Sequence, residues 1–168
     1  MVHSYSVHDG FLEVSSIQQG DIERLRTLRN LDAIRFSFID SRVISPEEQK
    51  MWFERYKEKD DDFMFAIRLA QTTVGFFALY GYDRDRETVE FGRFMIDPKH
   101  QGKGSGRRAI ALALLIAFGK LKVSEVTLEV FGENTTAVKL YDSAGFKVVS
   151  GKGDLVKMAY RAIGNRAE

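Results

Sequence analysis

Asp97-Pro98-Lys99-His100-Gln101-Gly102-Lys103-Gly104-Ser105-Gly106-Arg107-Arg108 is the stretch on which the fold turns. Glycines alternate at 102, 104 and 106 and lead into the apolar run Ala109 to Phe118. Bare backbone N–H groups therefore stand at a helix start, where the peptide dipoles favour an anion and missing side chains let it come close. Gln101, Lys103, Arg107 and Arg108 add donors and positive charge beside them. A glycine cluster after a strand can be a mere turn; the basic neighbours favour a phosphate cradle. A Walker-type loop is excluded, because Lys103 is followed by Gly104 rather than Ser or Thr and Asp97 stands where its first glycine belongs. Gly104-x-Gly106-x-x-Ala109 fits a dinucleotide fingerprint literally, with Glu129 at the distance of a ribose-binding acid. The lead-in from Asp97 to Gln101 is too long for that fold's tight turn, Glu129 falls inside its strand, and too little chain remains for a doubly wound sheet.

Before the loop, Phe63 to Leu69, Thr73 to Tyr82 and Thr88 to Ile96 read as strands joined by short polar turns, an antiparallel meander. After it, the spacing predicts a long helix to about Leu121, a buried strand Val126 to Phe131, a helix Asn134 to Ser143 stopped by Gly145, and a strand pair Phe146 to Val149 and Leu155 to Arg161. Upstream, Phe11 to Ile17 suits a first strand, and Asp21 is placed to cap a helix from Ile22 to about Asn30. Ala33 to Val43 shows no period. Ser45-Pro46-Glu47-Glu48 opens a further helix with a capping box and carries Met51, Trp52 and Tyr56 on it.

With 168 residues, 44% of them hydrophobic, the chain makes one domain over 1–168, with residues 1–10 a flexible tail. Lys plus Arg number 25 against 24 Asp plus Glu, so no field steers it onto nucleic acid. Cysteine is absent, which excludes thiolate nucleophiles and zinc–thiolate sites, and no metal is expected. The start lacks a secretory signal, and Ala109 to Phe118 is too short to span a bilayer. The expected setting is cytoplasmic, away from membranes.

Gln101-Gly102-Lys103-Gly104-Ser105-Gly106 resembles the acyl-coenzyme A motif Q/R-x-x-G-x-G/A of the GNAT acetyltransferases. Glu133-Asn134-Thr135-Thr136-Ala137-Val138-Lys139-Leu140-Tyr141-Asp142-Ser143-Ala144-Gly145-Phe146 resembles their N-x-x-A-x-x-x-Y-x-x-x-G-F, at the usual distance. The resemblance covers Thr73 to Val149 well and the earlier part in outline. It implies an α/β (α+β) GNAT fold, with a mixed, mostly antiparallel central sheet of roughly six to seven strands flanked by about four helices. It also implies transfer of acetyl from acetyl-coenzyme A to a primary amine. Coenzyme binding then falls to the loop Gln101, Gly102, Lys103, Gly104, Ser105, Gly106 and Arg107, to the backbone of Phe94, Met95 and Ile96, and to Asn134, which capping its helix would explain as well. Tyr141 stands where many relatives keep the tyrosine that protonates the leaving sulfur, unless it merely packs. Glu90 stands where some relatives keep a catalytic base; other relatives rely on ordered water.

In the family the first two helices, their loop and the late hairpin shape the acceptor pocket, which points to Arg29, Asn30, Arg35 and Trp52. Their order is similar to branches acting on nucleotide-linked amino sugars and on protein amino termini, ribosomal proteins included. A small-molecule amine is favoured, a protein amino terminus is the alternative, and an acyl-coenzyme A sensor without catalysis is the third reading. A homodimer is possible on this reading.

Overall fold

The computed structural model describes residues 4–163. Its strands are β1 (Ser6–His8), β2 (Leu12–Ser16), β3 (Asp62–Leu69), β4 (Thr72–Asp83), β5 (Thr88–Ile96), β6 (Glu125–Phe131), β7 (Lys147–Lys152) and β8 (Leu155–Arg161). The helices are α1 (Ile22–Arg29), α2 (Asp32–Arg35), α3 (Pro46–Tyr56), α4 (Ser105–Ile116) and α5 (Thr135–Ser143). All strands join one sheet in the order β1-β2-β3-β4-β5-β6-β8-β7, antiparallel throughout except where β5 meets β6. This is the expected mixed, mostly antiparallel GNAT architecture.

The centre of the sheet is apolar on both faces because helices cover both, so its strands read as near-continuous hydrophobic runs. Phe63, Phe65 and Ile67 of β3 join Phe77, Leu79 and Phe91 under the α4 residues Ala109, Ile110, Ala113 and Ile116. The alternate residues Met64, Ala66, Phe76, Ala78 and Met95 meet Leu25 and Leu28 of α1 and Phe53 and Tyr56 of α3. The start of α3 is the capping box read from the sequence: Ser45 Oγ accepts from Glu48 N at 3.1 Å and Glu48 Oε2 accepts from Ser45 N at 2.8 Å. At its far end Tyr56 Oη accepts from Met64 N at 2.9 Å, fastening the helix to β3.

The structure corrects the sequence reading in several places. The expected tail forms β1 from Ser6, paired with β2 in the register Ser6↔Ser15 to His8↔Glu13, and this strand takes the sheet beyond seven. Asp21 does not cap α1 through its side chain; its carboxylate accepts from Gln18 N at 2.9 Å and from Arg68 Nη2 at 2.7 Å. The irregular stretch after Ala33 begins inside the short α2 before breaking into turns. Beyond Ile116 the helix widens into a π turn, Ala117–Leu121. Among the described residues no helix is long and apolar enough to cross a membrane.

Candidate active site

The site begins with a defect in the sheet. β5 pairs with β6 only from Thr88↔Glu125 to Glu90↔Thr127, whereas β6 stays bonded to β8 as far as Phe131↔Leu155. From Phe91 to Ile96 the β6 side of β5 is therefore unpaired, and the two strands part there, leaving a slot between their edges. A bulge accompanies it: Phe76↔Met95 and Ala78↔Gly92 set two steps of β4 against three of β5. Arg93 takes up the extra residue at φ +48°, a left-handed conformation costing a side-chain-bearing residue about 1–3 kcal/mol. Its guanidinium is clamped by Asp62, Nη1 to Oδ1 at 2.7 Å and Nη2 to Oδ2 at 3.0 Å. Phe94, Met95 and Ile96, expected to offer backbone amides, lie on this unpaired edge, although Ile96 O already accepts from Gln101 Nε2 at 2.9 Å.

That amide bond lashes the glycine loop to the end of β5, a task for Gln101 that its motif position does not disclose. Gly102 and Gly104 have φ of +71° and +80°, and a Cβ on either would meet open space. Their value is thus the turn itself and the room above it. Gly104 is the N-cap of α4 and offers no side chain, so the N–H groups of Ser105, Gly106 and Arg107 stand ahead of the first helical bond, Arg108 N to Gly104 O at 3.2 Å. Gly106 differs: a Cβ there would lie 3.4 Å from Leu140 Cδ2 of α5, an ordinary packing contact, so a methyl group fits beside α5. Lys103 Nζ donates to Lys99 O at 3.3 Å, and Arg107 Nη2 reaches Ser143 O at 3.4 Å. Arg107 also borders a cavity of about 350 Å³ with Ala111, Leu114, Ser143, Ala144 and Tyr160. Open backbone donors, absent side chains and flanking cations suit a diphosphate with an elongated tail.

Asn134 caps α5, its Oδ1 accepting from Ala137 N at 3.2 Å. Tyr141, on the same helix, is 9% exposed; its ring is edge-on to Phe91 and Phe146 at 6.1 Å each and tilted against Phe94 at 6.4 Å. Burial pushes the Tyr141 phenol well above its ordinary pKa, so it keeps its proton at any working pH. Glu90 is the last β5 residue paired to β6 and lies across the sheet from Tyr141, beside the α1 and α3 layer. Tyr80 of β4, its cross-strand partner, donates to Glu90 Oε1 at 2.6 Å.

On that layer a cleft of about 460 Å³ opens between α1, α3 and β5, with Arg29, Trp52, Arg93 and Met95 in its wall. Trp52 is stacked on Tyr56 at 5.1 Å. Arg29 is 8% exposed, donates through Nη2 to Asp40 O and lies 4.0 Å from the Phe38 ring centre. Asn30 and Arg35, expected at the acceptor, are placed differently. Asn30 Nδ2 donates to Ile44 O and its Oδ1 accepts from Ile44 N, both at 2.8 Å, which pins the cleft loop. Arg35 is held by Asp32 at 2.7 Å and by Ser41 O at 2.8 Å and does not border the cleft. Asp40, Arg42, Glu48 and Tyr80 were not among the expected site residues. Among the described residues there is no cluster of side chains able to hold a metal ion.

A mixed sheet slotted between its parallel strands, with a phosphate-ready helix start on one face and a cleft on the other, defines an acyl-coenzyme A-dependent transferase. The chain belongs to the acetyltransferase (GNAT) domain family, which residues 12–147 match. It is an N-acetyltransferase that uses acetyl-coenzyme A. It is similar to the spermidine N(1)-acetyltransferase of Vibrio cholerae serotype O1, 28% identical over 136 residues covering 80% of this chain and 78% of that protein. It is also similar to the spermine/spermidine N(1)-acetyltransferase of Bacillus subtilis, 34% identical over 77 residues, 42% of this chain and 51% of that protein. A crystal structure of the Vibrio cholerae spermidine N-acetyltransferase with CoA and spermine superposes with a TM-score of 0.85 at 25% identity, covering 91% of this chain and 96% of that one. The expected link to nucleotide-linked amino sugars finds no support in these relatives.

Proposed function

We propose that the chain acetylates a primary amine of a small molecule by direct attack, with polyamines as the acceptor class. The observation that carries this is the unpaired β5 edge from Phe91 to Ile96, whose end is tied to the glycine loop by Gln101 and whose Arg93 and Met95 stand in the cleft wall. The relatives' names supply the polyamine. Asp40 and Glu48 in the cleft are carboxylates suited to a second ammonium; Arg42 spans them now, 2.9 Å from Asp40 and 2.5 Å from Glu48, and is exposed enough to yield.

When bound, acetyl-coenzyme A supplies a thioester whose carbonyl carbon takes the amine and whose sulfur leaves. The free donors at Ser105 to Arg107 hold its phosphates, and the unpaired β5 edge at Phe94 to Ile96 orients the thioester. The Asn134 carbonyl is committed to its cap, which leaves the side-chain NH2 for the pantetheine arm. Glu90 takes the proton that the amine must lose, and Tyr141 gives its phenolic proton to the leaving sulfur and regains one from solvent. Arg29 and Trp52 shape the cleft.

One observation favours a second acceptor chemistry. Arg29 Nη1 is buried with no hydrogen-bond partner among the described residues. An amine that also carries a carboxylate or phosphate would satisfy it, as an amino acid does. A thiol-release assay with acetyl-coenzyme A and spermidine, spermine, amino acids, an amino sugar and a peptide tests the function. Turnover with spermidine above the others supports the polyamine reading, and turnover only with anionic amines supports the second. Coenzyme binding without turnover on any of them leaves a sensor. The chain is also proposed to self-associate, since a dodecameric structure is reported for the Vibrio cholerae enzyme, which this chain matches with a TM-score of 0.80 at 25% identity over 95% of its length. Mass in solution by light scattering tests this.

A further inference from the structure

We infer that Tyr80 is a positioning residue for the base: it grips one oxygen of Glu90 and turns the other toward the amine. This rests on the proposed role of Glu90 and extends it to a residue that no motif marks.

The geometry is specific to this pair. Tyr80 and Glu90 are direct cross-strand partners, and the phenol donates to Oε1 at 2.6 Å. Glu90 Oε2 makes no hydrogen bond among the described residues and is free to accept a proton. The ring lies over Gly92, where a Cβ would come within 2.7 Å of the Tyr80 hydroxyl oxygen and 2.8 Å of the ring, too close for any real side chain. The Arg93 guanidinium sits 4.7 Å from the ring centre, and that guanidinium is itself clamped by Asp62. Asp62, Arg93, Tyr80 and Glu90 thus form a chain of contacts from β3 to the mouth of the slot. Arg93 and Met95 also border the acceptor cleft, so the chain lies on the amine's side of the sheet.

Burial and the Glu90 charge together hold the Tyr80 phenol far above its ordinary pKa. It stays a donor while Glu90 gains and loses a proton, and it donates none itself. The other charges facing the pair are Arg93 and Asp62 from β5 and β3 and Glu129 from β6, whose cross-strand neighbour on β8 is Lys157. Glu129 acts on the phenol in the same direction as Glu90 and Arg93 opposes them.

Three proteins and their double variant test this: parent, Tyr80→Phe, Glu90→Gln and Tyr80→Phe/Glu90→Gln, each assayed across pH with saturating acetyl-coenzyme A. Phenylalanine keeps the ring and its packing, so the fold is spared. We expect Tyr80→Phe to lower kcat roughly tenfold near neutral pH with the KM for acetyl-coenzyme A unchanged. In the Glu90→Gln background the same change has no further effect on kcat, since there is no base left to orient. Gly92→Ala, which leaves Tyr80 present but displaces its ring, reproduces the loss. Additive losses in the double variant, or an unchanged kcat in Tyr80→Phe, reduce Tyr80 to packing and overturn the inference. A parent that turns over no amine at all removes the proposed function and this inference with it, whereas an active parent with a silent Tyr80→Phe removes the inference alone.

Discussion

Arg93 and Asp62 face each other in a two-pronged ion pair, 2.7 Å and 3.0 Å, with Asp62 3% exposed. The pair spans from β3 to the bulge and holds the left-handed backbone that lets β5 leave β6. Asp62→Ala leaves a half-buried guanidinium to water beside a strained residue and should destabilise the fold by about 1–3 kcal/mol, less than for a fully buried pair. Denaturant unfolding measures the loss. Activity should fall further than stability alone explains, since the bulge shapes the slot; a variant that loses stability but keeps kcat would separate the pair from the site.

Gly104→Asp should abolish coenzyme binding, measured by calorimetry. The position has φ +80° and open space above it, so an aspartate strains the turn and sets a negative charge where the phosphates dock. Gly106→Glu should also fail, because it sets a carboxylate among the same open amides on a side chain that starts in contact with Leu140. A folded Gly104→Asp protein with parental affinity would mean the coenzyme does not use this loop.

Tyr141→Phe should lower kcat by about a hundredfold with little change in the KM for acetyl-coenzyme A. Burial raises the phenols of both Tyr141 and Tyr80. The folded state therefore holds protons that the unfolded state releases, so stability is full below about pH 10 and falls as pH rises beyond it. Tyr141→Phe should soften that alkaline loss. Thermal melts between pH 8 and pH 11, set beside kcat, read both effects; an unchanged kcat assigns Tyr141 to packing.

Glu90→Gln should lower kcat near neutral pH, with the deficit shrinking as pH approaches the amine's own pKa, about 10, because the free amine then needs no base. Full activity at neutral pH with a parental melting temperature would hand the proton to ordered water.

How far the sequence disclosed all this depends on the physics of each part. Gly102 and Gly104 were legible because a bare loop ahead of an apolar helix has few other uses, and the Ser45 capping box because it is complete within four consecutive residues. Tyr80 and Glu90 were not seen as a pair because their meeting depends on register. One bulge at Arg93 and a second irregularity between Tyr80 and Asp83 decide which β4 residue faces Glu90. The hydrogen bonds of Asn30 and Arg35 were not legible for a related reason: their partners, Ile44 and Ser41, lie in an aperiodic loop that folds back on them. β1 went unread because three residues on a sheet edge leave no period to find.

Among the described residues, the strand ladder joining the sheet's first five strands to its last three is only three residue pairs long, Thr88 to Glu90 with Glu125 to Thr127, with Glu87 O accepting from Ser124 N and Glu125 N at its end. Such a seam opens more easily than the strands beside it, and amide exchange should be fastest there in the empty protein. A coenzyme held there, as proposed, would bridge both halves and act as mortar. At roughly 100 times its Kd it would add about 2.7 kcal/mol to folding by mass action. The lifetime of the molecule in a cell would then follow the supply of its own acetyl donor, and a starved cell would clear an enzyme that it could not use.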